Sequence, residues 1–151
     1  AHHGRITTGI SNMDNGDNVT SNWEQADSYG YGGIGTAMSQ SSGIFTFPET
    51  GIWYVSYTCN GSDDNQAQLY VGGTITTTTD NSSYNIAVKG NTSIDNDNEY
   101  FTTTISYIFD VTSTSTHKVR FAVHCQNNGI NLSGDTNRTD TGATFIRLGD
   151  T

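Results

Sequence analysis

The chain has 151 residues, 32% of them hydrophobic and 11% aromatic, with 17 glycines and a single proline. That length fits one domain with a true core, and so many aromatic residues exclude a disordered chain. Fifteen acidic against six basic residues give a net charge of −9, and the scatter of Arg5, Lys89, Lys118, Arg120, Arg138 and Arg147 excludes a nucleic-acid stripe.

Threonine, serine, asparagine and glycine dominate the rest of the chain. β-branched Thr and turn-forming Asn both lower helix propensity, and no window repeats its apolar residues at helical spacing. The chain reads as all-β. No apolar run approaches the roughly 18–20 residues that cross a bilayer as a helix, so membrane insertion is not expected. No secretory leader is visible, and the chain reads as a mature or trimmed piece. The acidic excess reads as solubility. His2 and His3 beside Gly4 read as an appended tail or an ordinary polar terminus.

In chain order, residues 1–33 form an extended lead-in with one or two short strands, part of the same domain as the head at 34–151. Residues 34–38 are a weak strand. Ile44 to Phe47 and Ile52 to Cys59 are two apolar bursts around Pro48-Glu49-Thr50-Gly51. Pro48 ends the first burst because it cannot donate to a ladder. In the second, Trp53, Val55, Tyr57 and Cys59 share one face and Tyr54, Ser56, Thr58 and Asn60 the other. Residues 67–71 form a strand closed by a Gly72-Gly73 hairpin turn. Residues 74–79 are a threonine-rich edge strand, and 84–88 a further strand before a polar loop over 90–99. Residues 100–111 and 119–125 alternate cleanly. A long polar loop over 126–141 leads to a last strand at 143–148. About ten strands of this kind fit a two-sheet antiparallel jelly-roll sandwich. Cys59 and Cys125 both point inward by parity. A disulfide across the core and two buried free thiols are both open, and two cysteines are too few for a structural zinc.

Phe45, five intervening residues, Gly51, and then Trp53, Val55 and Tyr57 at alternate positions resemble the globular head family of complement component one, subunit q. That family shares its jelly roll with the tumour necrosis factor superfamily. Val119 to Val123 resembles the family's penultimate strand and Thr144 to Leu148 its last, so the resemblance covers residues 34 to 149. Met38, Gly33 and Asp27 depart from the signature's upstream half. The Asn/Thr-rich style and the ending GATFIRLGDT look like related knobs on virion proteins of marine bacteriophages and large algal viruses. The resemblance implies a homotrimer packed through one outer sheet face, for which Tyr54, Tyr84, Ile108 and Ile146 are the candidates. An apolar outer face needs a partner to cover it.

Candidate contacts otherwise lie in polar loops. Asp63, Asp64, Asn127, Asn128 and Asp135 are ligand candidates. Trp23, Tyr29 and Tyr31 could stack on a sugar ring beside flexible glycines, against the plainer reading that Trp23 anchors the N-terminal segment. Asp95, Asp97 and Glu99 place oxygen ligands at every second position, which suits a hard cation. Calcium is thus the one cofactor the pattern admits, against a solvated acidic loop. Six N-x-Ser/Thr sequons, at Asn18, Asn60, Asn81, Asn91, Asn131 and Asn137, decide little in so Asn-rich a chain. His117 and His124 have no acid at a telling spacing, and no G-x-S-x-G, H-E-x-x-H or P-loop occurs. The favoured reading is a non-catalytic trimeric head of a virion fibre, tail or capsid-surface protein, located on the virion surface. It would bind a host cell-surface glycan or protein and join the rest of the particle. A secreted, extracellular recognition protein on a collagenous stalk is the alternative, and a glycan-active enzyme comes third.

Overall fold

Thirteen residues from Gly51 to Asp63 alternate between buried and half-buried without a break. This is the period-2 pattern of a strand with one face on a core. The computed structural model describes residues 1–151 and contains twelve strands and no helix. They are β1 (His2–Ile6), β2 (Thr8–Met13), β3 (Trp23–Gln25), β4 (Ser39–Ser41), β5 (Ile44–Thr46), β6 (Gly51–Asp63), β7 (Gln68–Thr78), β8 (Asn85–Ile94), β9 (Glu99–Val111), β10 (Lys118–Cys125), β11 (Ile130–Asp135) and β12 (Gly142–Gly149).

The strands form two antiparallel sheets. The seven-stranded sheet runs β2-β11-β6-β12-β1-β3, with β9 on the other side of β6. The five-stranded sheet runs β4-β5-β10-β7-β8. β6 is the spine of the larger sheet: β9 pairs along its whole length, while β12 and β11 share its opposite edge. The all-β jelly-roll sandwich read from the sequence is therefore the fold, with twelve strands where about ten were expected.

The inward faces meet over an aromatic core. Tyr57 stacks on Phe121 at 4.7 Å between ring centroids. Phe45 lies 5.0 Å from Phe145 and 5.5 Å from Phe121, while Phe47 bridges Trp53 and Phe109. Each such ring, fully buried, contributes roughly 1.5–3 kcal/mol of transfer free energy. Six phenylalanines and two tryptophans thus let a chain that is mostly polar fold.

Several local expectations fail for physical reasons. Gly72-Gly73 is no hairpin turn, because β7 runs straight through it. A Cβ on Gly73 would lie 2.5 Å from a Tyr57 ring carbon and 2.9 Å from the Cys59 Cβ, so the glycine is there for close approach of the sheets. The threonine-rich stretch is not an edge, since β10 and β8 flank it on both sides. β8 continues to Ile94, and β11 occupies part of the expected 126–141 loop because Ile130 and Leu132 alternate into the core. Residues 34–38 form no strand, with Ile34 78% exposed and Gly35 at a φ of +74°.

The N-terminal residues are built into the larger sheet. β1 lies between β12 and β3, and Ile6, Met13 and Val19 belong to the core. His2 and His3 are structural parts of β1. His2 is buried against Phe145 at 5.8 Å, and His3 bonds the Thr144 and Thr139 hydroxyls at 2.8 and 2.7 Å. The two cysteines are free and buried, and the Cys59 thiol donates to the Gly72 carbonyl at 3.4 Å. Burial pushes the Cys59 thiol up to about 12.

Two predictions follow from this packing. Gly73→Ala forces a methyl against the Tyr57 ring and should cost about 2 kcal/mol in chemical denaturation, whereas Gly32→Ala, which meets no atom within 4 Å, should be close to neutral. Burial first, then the neighbouring His3 and amino-terminal charges, holds the His2 imidazole down at about 4. The unfolded chain therefore takes up a proton near pH 6.5 that the folded one refuses. Stability should fall as pH drops from about 6.5 to about 4, and His2→Phe should flatten that part of a plot of denaturation midpoint against pH.

Candidate functional site

The outer face of the seven-stranded sheet carries an apolar row set by strand register. Ile146 on β12 is opposite Tyr54 on β6, and Tyr54 is opposite Ile108 on β9. Neighbouring strands lie about 4.8 Å apart, so the three residues stand side by side across roughly 10 Å of sheet. Ile146 is 39% and Ile108 51% exposed, and Leu148 on the same end of β12 is 58% exposed. The face changes character along β6. Ser56 is opposite Thr144 and Ser106, the Thr58 and Thr104 hydroxyls bond at 3.0 Å, and Asn60 donates to Thr102 at 2.8 Å. One half is thus apolar and the other a hydroxyl and amide ladder.

Tyr84 does not join that row. It sits just before β8, on the five-stranded sheet, with the Arg120 guanidinium 3.9 Å from its ring centroid. Parity along a strand shows which residues share a face, but it does not show which sheet the strand enters.

The loop candidates divide into two groups. At one end of the sandwich, Asp63 is fully buried and acts as a structural knot, because its carboxylate is used up. It accepts the Asn65 and Gln66 amides at 2.8 and 3.2 Å and the side-chain amide of Gln68. Gln68, also fully buried, accepts the Gln126 and Asn127 amides at 3.1 and 2.9 Å and donates to the Asn127 carbonyl at 3.0 Å. Every polar atom of the pair has a partner, as a buried polar pair requires. Around the knot, Asp64 accepts from Asn131 at 2.8 Å and Asn128 accepts the Asn15 amide at 3.0 Å. The 94–99 turn joins through the Asn98 amide, which donates to the Asp63 carbonyl at 2.8 Å. Within that turn Glu99 faces inward on its own backbone: it accepts the Asp95 and Asn96 amides at 2.8 and 3.2 Å. The Asn96 side-chain amide, which donates to Glu99 at 3.0 Å, and then these two backbone bonds hold the Glu99 carboxyl below its ordinary range. Asp95, Asp97 and Glu99 do not converge as a metal-binding group.

The second group lies beside β1 and β3. Arg5 is buried in a clamp of Glu24 at 2.9 Å, Asp27 at 2.8 Å and Ser28 at 2.8 Å. Breaking one partner of such a clamp would strand a buried charge. The clamp holds the loop that carries Tyr29 and Tyr31 over Arg138 and Thr139, around an open cavity of about 300 Å³. Tyr29 is 86% exposed, and the Tyr31 hydroxyl accepts the His3 amide at 3.0 Å. Asp135 lies close by, bonded to the Asn137 amide at 2.7 Å and paired with Arg138 at 3.3 Å. Trp23 takes no part: its indole donates to the Val19 carbonyl at 2.7 Å and its ring packs on Phe45 and Phe121. The anchoring role is therefore the one the structure supports for Trp23. Sequence reasoning missed Gln68, His3 and Arg138, whose partners lie up to 141 residues away in the chain.

No protein-family model and no curated protein matches this sequence. Solved structures do match in shape. The Eiger TNF from S. frugiperda superposes with a TM-score of 0.66 at 9% identity, over 99% of this chain and 92% of that one. Murine APRIL at pH 5.0 superposes with a TM-score of 0.64 at 12% identity, over 97% of each chain, and a second APRIL structure at pH 8.0 gives 0.54. At such identities the likeness speaks to the fold alone, and the chain is a tumour necrosis factor-like jelly-roll domain.

Proposed function

We propose that the chain is a non-catalytic trimeric head of a virion fibre, tail or capsid-surface protein, which attaches the particle to a host surface molecule. The observation that carries this reading is the Ile146–Tyr54–Ile108 row, with both isoleucines exposed and Tyr54 half-buried on the outer sheet face of a chain with net charge −9. A threefold contact would cover that row, and homotrimers are what the family resemblance implies. The virion setting draws its support from the Asn/Thr-rich style and the GATFIRLGDT ending. Polar loops around the Asp63–Gln68 knot and beside Tyr29 would present contacts threefold, so weak single-site binding would gain strength through avidity. A second reading, a secreted recognition protein on a collagenous stalk, draws on the same family resemblance.

The histidines support a non-catalytic role. His117 is buried with its ring nitrogens against the Thr112 and Thr116 hydroxyls at 3.2 and 3.0 Å. His124 stacks on Tyr70 and meets Asn15 at 3.3 Å. Neither is positioned by a carboxylate, as a general base would be.

Light scattering at micromolar concentration should report three times the 16.3 kDa chain mass, and a stable monomer would sink this reading. Tyr54→Asp should leave a folded monomer, while Val55→Asp should unfold the chain by placing a charge in the core. The monomeric variant should also bind host cells about 100-fold more weakly or worse than the trimer. Equal binding by both would count against avidity.

A further inference from the structure

We propose that the groove on the outer face of the five-stranded sheet binds a singly charged acidic monosaccharide unit, with Arg120 and Lys89 gripping its carboxylate. This rests on the reading of the chain as a surface-recognition head and names the ligand class for one of its faces.

Strand register makes the groove. Across β10, β7 and β8 the outward residues form one row of Arg120, Thr76 and Ile86 and a second of Ala122, Thr74 and Lys89. His124 is opposite Gly72 in a third. Small side chains at Ala122 and Thr74 thus lie between large ones, which hollows the sheet surface. The segment before β3 runs antiparallel alongside β10 and bounds the groove on that side: the Gly16 amide donates to the Val123 carbonyl at 3.0 Å, and Asn18 bridges to Ala122. The resulting cavity is about 320 Å³, at the small end of ligand sites and suited to one sugar ring.

Its charge is the reverse of the molecule's. Of the six basic residues, Arg5, Arg138 and Arg147 are each paired with carboxylates, and the Lys118 ammonium is held by the Thr46 hydroxyl and the Thr114 carbonyl. Lys89 and Arg120 have no carboxylate partner within 4.0 Å, and both line this groove. Arg120 is pre-oriented. Its plane lies over Tyr84 and its Nε donates to Thr76 at 3.3 Å, which leaves the two terminal nitrogens of the fork unbonded. Such a fork matches an oxyanion in geometry as well as charge. The Asn18 side chain makes no hydrogen bond, and the Tyr84 hydroxyl at the groove is buried without a partner.

The size and the field select the ligand. A net charge of −9 repels polyanions from the molecule as a whole, whereas a single carboxylate in the groove meets Lys89 and Arg120 and no acidic side chain among the lining residues. Ile86, 60% exposed, offers an apolar wall to the C–H face of a pyranose ring. The groove lies on the sheet opposite the apolar row, so a trimer built on that row would leave it open.

The test is a titration of the trimer followed by amide NMR shifts, with glucuronate, glucose and sulfate as probes. Glucuronate should give saturable shifts confined to β7, β8, β10 and residues 15–18, with glucose and sulfate each at least about tenfold weaker. Lys89→Gln, at an exposed position, and Arg120→Gln should each weaken glucuronate by about tenfold or more. If Arg120→Gln fails to fold, Lys89→Gln alone decides. Non-saturating or scattered shifts, insensitivity to Lys89→Gln, or sulfate binding as tight as glucuronate would overturn the proposal. Light scattering and cell binding on the same samples separate the two ideas, since a trimer that binds cells but not glucuronate retains the head reading and loses this one.

Discussion

The two sheets close because β7 has no side chain where Tyr57 crosses it. With hydrogen at Gly73, the tyrosine ring lies flat between the sheets and stacks on Phe121. Phe121 then meets Phe45 and Phe145, and Phe45 receives the edge of Trp23. Trp23 ties down the chain through Val19, and the segment before it is thereby laid along β10. One close approach in the core thus leads, contact by contact, to the wall of a surface groove. Interiors pack at near-crystalline density, so a shift at Gly73 would be transmitted along the same path.

A chain with few apolar residues needs its polar ones to be satisfied inside. Asp63 and Gln68 do this at the end of the sandwich by gathering the amides of three loops into one buried knot. The threonines do it along the strands. On the outward face of β7, Thr76 and Thr78 are covered by their neighbours yet still use their hydroxyls, on the Arg120 carbonyl and on Asp80.

The faces of the sandwich divide the surface into unlike regions. The larger sheet offers an apolar row and a hydroxyl ladder side by side along β6. The smaller sheet offers two cations without carboxylate partners in a molecule of net charge −9. A self-contact on the first and a ligand on the second would not compete for area.

Strands whose side chains alternate between a core and a surface were legible in order: β6, β9, β10 and β12 stand close to where period 2 puts them. The inward faces of those strands were legible too, from Trp53, Val55, Tyr57 and Cys59 to Val119, Phe121 and Val123. Gly72-Gly73 misled because a glycine pair that relieves a clash between sheets is locally identical to one that makes a turn. Tyr84 was grouped with Tyr54 because parity is a property of one strand, while sheet membership depends on pairing between strands distant in sequence. Asp63 looked like a loop ligand because composition does not distinguish an aspartate turned onto the amides of its own loop from one that faces solvent. Hydrophobic periodicity and turn chemistry, which act over a few residues, thus dictated an all-β sandwich with a named core strand. Which outward residues came to share a face, which loops knotted together and where two isolated cations met were settled only when the sheets closed, because register and packing join residues that the chain keeps far apart.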